Sequence, residues 1–202
     1  MKARKIHRKG AGQQATLLSE AQLHSLASAA RREVFHTLGR IGPASVGEIA
    51  VALGQPADAL YYHVRHLARA GLVAELGKRA ASTRRESVYA VTTRLIRVDP
   101  SRRATRYLSA VRKLFESTLR SVARRIGAAL DDPEVERSGP RRQVSLQTHL
   151  VRLDDVGLAE LNRRIDGLSE FLAKRSLTDS GELYQVLTVT TTLRRGESEP
   201  EE

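Results

Sequence analysis

Leu23, Leu26, Ala30, Val34, Leu38 and Ile41 recur at intervals of three or four residues, the period that returns side chains to one face of an α-helix. The spacing predicts bracing helices over residues 17–41, with these positions in the core. Ser45 followed by Glu48 has the spacing of a capping box, in which hydroxyl and carboxylate satisfy backbone donors at a helix start. Val46, Ile49, Ala50 and Leu53 then form a one-sided apolar stripe, and Gly54 stands where that helix should stop. Gln55 and Pro56 cannot extend it, whereas proline suits the first turn of a second helix, expected from about Pro56 to Ala70.

At 100° per residue, Leu60, Val64, Leu67 and Gly71 share one side of that second helix. Asp58, Tyr62, Arg65 and Arg69 share the other, with Tyr61 and His66 flanking and His63 beside the packing face. Arginine can bond guanine bidentately, and tyrosine can stack or donate to phosphate. The exposed face thus suits the major groove of DNA, although a solvated helix face is the commoner fate of charged residues. Leu72–Leu76 and Glu86–Val91 read as two short strands around a basic tip, Gly77–Arg85, holding Lys78, Arg79, Arg84 and Arg85. Beside a reading helix, such a tip can reach phosphates or the minor groove.

Residues 22–92 resemble the winged helix-turn-helix of ArsR-type bacterial transcription regulators. The resemblance rests on Leu26-Ala27-Ser28-Ala29-Ala30-Arg31-Arg32, Val34-Phe35 and Ser45-Val46-Gly47-Glu48-Ile49-Ala50. It continues through Leu60-Tyr61-Tyr62-His63-Val64-Arg65-His66-Leu67 and Ala70-Gly71-Leu72-Val73. It implies DNA contact at the positions of Tyr61, Tyr62, His63 and Arg65, and a homodimeric, cytoplasmic regulator of transcription. The candidate interface is therefore Gln55, Asp58, Tyr61, Tyr62, His63, Arg65, His66 and Arg69 on the recognition helix, with Lys78, Arg79, Arg84 and Arg85 on the wing.

Founding members of that family sense thiophilic metals through cysteine, and this chain has none, which excludes thiolate sensing and disulfides. His63 and His66 are close enough to share an ion, but their place on the proposed DNA helix argues against it. No metal or cofactor is expected. The formal charge is +11 overall, and its distribution is uneven. Residues 1–100 hold 16 Lys and Arg against 7 Asp and Glu, whereas residues 101–202 hold 18 against 16. The excess sits on the half that would bind DNA. With no long apolar run and no hydrophobic segment after the basic N-terminus, neither membrane insertion nor secretion is expected.

Residues 1–16 read as a disordered basic tail and 17–98 as the winged domain. Residues 99–195 form a further region and 196–202 an acidic tail. Leu95–Val98 suggests another short strand, and Asp99-Pro100-Ser101 a boundary and helix cap. Between about Arg102 and Leu130, Ala104, Leu108, Val111, Phe115, Leu119, Val122, Ile126 and Ala129 keep a helical period. A helix of that length, on the order of 45 Å, exceeds what a small winged domain can cover. It is expected to pack against its symmetry mate. Residues 131–142 read as a linker. A β-α-β module should follow, from strand Val144–Leu150, a helix capped at Asp154-Asp155 with Leu158, Leu161, Ile165, Leu168 and Leu172 in one stripe, and a strand at about Leu183–Leu193. The expected class is α+β, mainly helical. Cover for a two-stranded sheet must come from the long helix, the partner subunit or both. An unidentified small-molecule effector stays open, with His149 and Tyr184 the first residues to probe.

Three function classes follow. The leading one is a homodimeric, sequence-specific regulator on a near-palindromic site of double-stranded DNA. The second is a winged-helix module that binds protein or RNA without operator specificity. An enzyme is not expected, because there is no cysteine nucleophile, glycine-rich phosphate loop or His-Glu-x-x-His pair. The acidic pairs Asp131-Asp132 and Asp154-Asp155 read as caps or solvated turns.

Overall fold

The structure is a computed structural model, and it describes residues 16–80, 85–93, 96–175 and 184–192. The chain divides after Asp131 into two compact units. In the first, β1 (Thr16–Leu17) leads to α1 (Glu20–Leu26), which opens on a capping box between Ser19 and Gln22. α2 (Ala29–Ile41) and the two-residue strand β2 (Ala44–Ser45) follow. α3 (Val46–Leu53) starts with the expected reciprocal bonds between Ser45 and Glu48 and ends at Gly54, left-handed at φ 62°. That turn admits α4 (Ala57–Arg69), entered through Pro56. The hairpin is β3 (Val73–Ala80) and β4 (Arg85–Val91), and α5 (Thr105–Asp131) closes the unit after β5 (Ile96–Arg97).

β2, β4 and β3 form an antiparallel sheet in that order, with Ala44 opposite Tyr89 and Val73 opposite Val91. A bulge between Glu75 and Gly77 shifts the register, and Gly77, at φ 134°, takes a backbone conformation that a side chain would strain. Both strands run further than their hydrophobic pattern indicated. Lys78, Arg79 and Arg85 therefore lie within the ladder rather than on a loop tip, because hairpin pairing continues through charged residues while both faces remain solvated. Arg84 lies outside the described residues.

The core is one cluster in which Leu23, Leu26, Val34, Leu38, Ile49, Leu60, Val64, Leu67 and Leu72 are almost fully enclosed. Apart from Leu72, which was read as the start of a strand, these are positions marked by the helical period, and three marked positions stay out of the cluster. Ala30 is only half-buried. Ile41 is 40% exposed at the last residue of α2, and Gly71 is exposed, supplying a positive-φ turn after α4 instead of packing. Tyr107 on α5 is buried in the same cluster, where its hydroxyl donates to the Leu18 carbonyl at 3.1 Å and accepts from the Asp99 N–H at 2.8 Å. It fastens the start of α5 to the segment around β1 and β5, which pair in parallel. Thr16 thus belongs to a strand rather than to a tail, and residues 1–15 lie outside the described residues.

Arg32 is also buried, and a buried charge needs partners. Its guanidinium donates to the Leu26 carbonyl at 2.6 Å and to the Ser117 hydroxyl and carbonyl, each at 3.2 Å. This cation links the α1–α2 elbow to α5 across 85 residues of sequence.

α5 starts three residues later than its periodicity suggested, after Asp99 accepts from the Ser101 N–H and hydroxyl. The face it turns to its own core carries Tyr107 and Ala110, with Val111 and Leu114 packed behind them. The expected stripe shares Val111 with that face, and much of the rest turns outward. Leu108 is 46%, Phe115 40% and Leu119 41% exposed.

The second unit contains α6 (Asp155–Arg175), capped by Asp154, whose carboxylate accepts from the Gly157 N–H at 2.8 Å. α6 has no buried residue, and Leu158 and Leu168 of its stripe are largely exposed. Residues 144–154 and 184–192 carry no strand. Alternation alone does not make a strand, which is defined by its partner, and among the described residues neither segment has a ladder. Leu183, Leu193 and the acidic tail lie outside the described residues.

Candidate nucleic-acid interface

α4 is amphipathic by sequence, and its burial follows the 100° wheel: Leu60, Val64 and Leu67 pack while Asp58, Tyr62, Arg65 and Arg69 are exposed. Gln55 is exposed in the turn before it. Tyr62 is 59% exposed and stacks at a tilt on His66, ring centroids 4.4 Å apart, with His63 edge-on at 5.6 Å. The three rings form an aromatic ridge beside the two arginines. Among the described residues neither Arg65 nor Arg69 has an acidic partner, so both guanidinium groups keep their donors for an anionic ligand.

Tyr61 and His63 lie lower on the helix. Tyr61 is half-buried and packs against the core cluster. His63 is half-buried too, with its Nδ1 enclosed and without a hydrogen-bond partner. Burial, with the nearby charges of Arg31 and His66, holds its imidazole below the usual histidine range. The folded form therefore prefers the neutral ring. The resulting stability is full above the unfolded value near 6.5 and is lost as pH falls from there through the lower folded value. His63→Gln is expected to flatten the decline in denaturation midpoint between roughly pH 7 and 5. Because His36 is shifted in the same direction, the variant should remove part of that decline; an unchanged profile would mean that His63 does not contribute.

The wing divides its cations by face. Arg79 forms an ion pair with Glu48 on α3, whose carboxyl is held below the usual range first by the Ser45 N–H and further by Arg79. The same carboxylate thus caps α3 and anchors the wing to it. Lys78 and Arg85 are exposed on the neighbouring register positions, and among the described residues neither has an acidic partner. Sequence spacing alone had grouped all the wing cations together. The Glu48–Arg79 tie spans 31 residues, and no local signal announces it.

Of the two residues singled out in the second unit, His149 is exposed and Tyr184 is 54% exposed. Among the described residues no group of three or more His, Cys, Asp or Glu converges on a metal-sized site. No described helix is long and apolar enough to cross a membrane.

Two helices set by a glycine turn, with a hairpin following, are the parts of a winged helix-turn-helix, and residues 26–75 match the family described as a helix-turn-helix domain. Over that segment, about a quarter of the chain, the protein is similar to the family's helix-turn-helix domain. A crystal structure of Rv1404 from Mycobacterium tuberculosis is similar at 18% identity over 76% of this chain and 82% of that one; its TM-score of 0.29 is too low to equate the two folds. No curated protein matches the chain.

Proposed function

We propose that the protein is a sequence-specific transcriptional regulator that binds a near-palindromic operator as a homodimer. The observation that carries this reading is the exposed face of α4, where Arg65, Arg69, Tyr62 and His66 stand without acidic partners beside a wing presenting Lys78 and Arg85. Arg65 and the aromatic ridge enter the major groove, with Gln55 and Asp58 at the helix entrance. Lys78 and Arg85 hold the backbone.

Residues 17–98 are the reading domain in this proposal and 99–195 the dimerisation region. The exposed stripe of α5 meets its symmetry mate, and the segments around α6 complete a β-α-β module when they find strand partners. Such a pair places two recognition helices about one DNA turn apart.

Selection of bound duplexes from a random pool tests operator specificity and half-site symmetry together. Arg65→Ala should cost about 1–3 kcal/mol at one base position and relax preference there. Lys78→Ala should weaken all duplexes about equally and reduce the salt slope by about one unit. If both variants bind with unaltered affinity and preference, the interface assignment fails. Binding that survives high salt, or that favours RNA or a protein over duplex DNA, would instead identify an interaction module.

A further inference from the structure

Between α4 and the wing lies a cleft of about 230 Å³ lined by Val46, Tyr61, Arg85, Glu86, Ser87 and Tyr89. Strand alternation puts Arg85, Ser87 and Tyr89 on one face of β4. The register sets Lys78 opposite Ser87 and therefore on that face as well. Arg79 and Glu86 oppose each other on the alternate positions, and Arg79 is already committed to Glu48. The cleft side of the hairpin thus carries Lys78 and Arg85. Glu86 contributes to the rim from the alternate position.

The hydroxyls of Tyr61, Ser87 and Tyr89 have no hydrogen-bond partner among the described residues. Tyr61 and Tyr89 have their rings packed against the core cluster, so their positions are set by packing while their polar ends remain available. Two tyrosine hydroxyls fixed by packing, with the Ser87 hydroxyl and two cations nearby, suit a compact, singly charged anion that offers several acceptor oxygens.

We propose that this cleft is the seat of one phosphodiester group of the bound DNA backbone, with Tyr61, Ser87 and Tyr89 donating to its oxygens and Lys78 and Arg85 supplying counter-charge. The inference rests on the DNA-binding reading and adds Ser87 and Tyr89 to it. A phosphate held here pins the backbone between recognition helix and wing. It sets the depth to which α4 enters the groove without reading any base.

The test uses the full chain with Tyr89→Phe and Ser87→Ala combined, changes that remove two hydroxyls and little else. Binding is measured by fluorescence anisotropy on a pool-selected duplex and on a scrambled one. The double variant should bind both about tenfold to thirtyfold more weakly, with the preference between them unchanged. In a scan of neutral methylphosphonate linkages along the selected duplex, one position should weaken the unaltered chain far more than the variant. Undiminished affinity of the variant, a changed preference between duplexes, or no position that distinguishes the two proteins overturns the seat and leaves the DNA-binding reading standing. Failure of the unaltered chain to bind any duplex overturns both.

Discussion

Tyr107→Ala is expected to destabilise the first unit by about 3–5 kcal/mol, the range for removing a large buried aromatic side chain. The side chain is 1% exposed and belongs to the central cluster. Its loss would leave a cavity, and it would also strand the Leu18 carbonyl and the Asp99 N–H that its hydroxyl now satisfies. Tyr107→Phe separates the two contributions. It keeps the ring and should cost about 1–3 kcal/mol from the unsatisfied polar groups alone. Urea denaturation followed by circular dichroism measures both, as a lower midpoint at unchanged slope. A midpoint shift for alanine no larger than for phenylalanine would mean that ring packing at this position contributes little.

The second large effect is expected from the exposed side of α5. In the proposed homodimer, Phe115→Glu combined with Leu119→Glu should convert dimer to monomer, because two charges per subunit would face one another across the proposed apolar seam. Both side chains are about two-fifths exposed in the single chain, so the subunit fold should survive and its circular dichroism should change little. Operator affinity should then fall by a factor on the order of 10² or more, since the second half-site is no longer bound intramolecularly. Sedimentation equilibrium reads the first consequence and operator titration the second. A variant that remains dimeric removes α5 from the seam.

These two predictions differ in how far the sequence pointed to them. The stripe containing Phe115 and Leu119 is a local periodicity, readable without knowing what surrounds it. Tyr107 lies outside that stripe. Its burial depends on Leu18, 89 residues away, and no window of neighbouring residues contains that information. Arg32 is similar: one of two adjacent arginines in a charged stretch, it becomes an enclosed link only because Ser117 arrives from α5.

The candidate interface shows the same division. The helical wheel separated Leu60, Val64 and Leu67 from Asp58, Tyr62, Arg65 and Arg69, because a 3.6-residue period fixes relative direction along one helix. It could not distinguish Arg79 from Lys78. That distinction needs the bulge at Gly77 and the approach of Glu48. Ser87 and Tyr89 alternate on β4, a period-two signal present in the sequence, yet their relation to Tyr61 follows from the packing of the hairpin against α4.

Sequence by itself determined where α3 starts and stops, where α4 begins, and which faces of those two helices pack. Capping, glycine turns and amphipathic spacing all act within a few residues. Tertiary structure alone decided which wing cation is tied to α3, which face of α5 packs inward, and that among the described residues the segments beside α6 have no ladder. Each of those outcomes depends on a partner distant along the chain, or on one the subunit does not contain, and hydrogen bonds and burial exist only once that partner is in place.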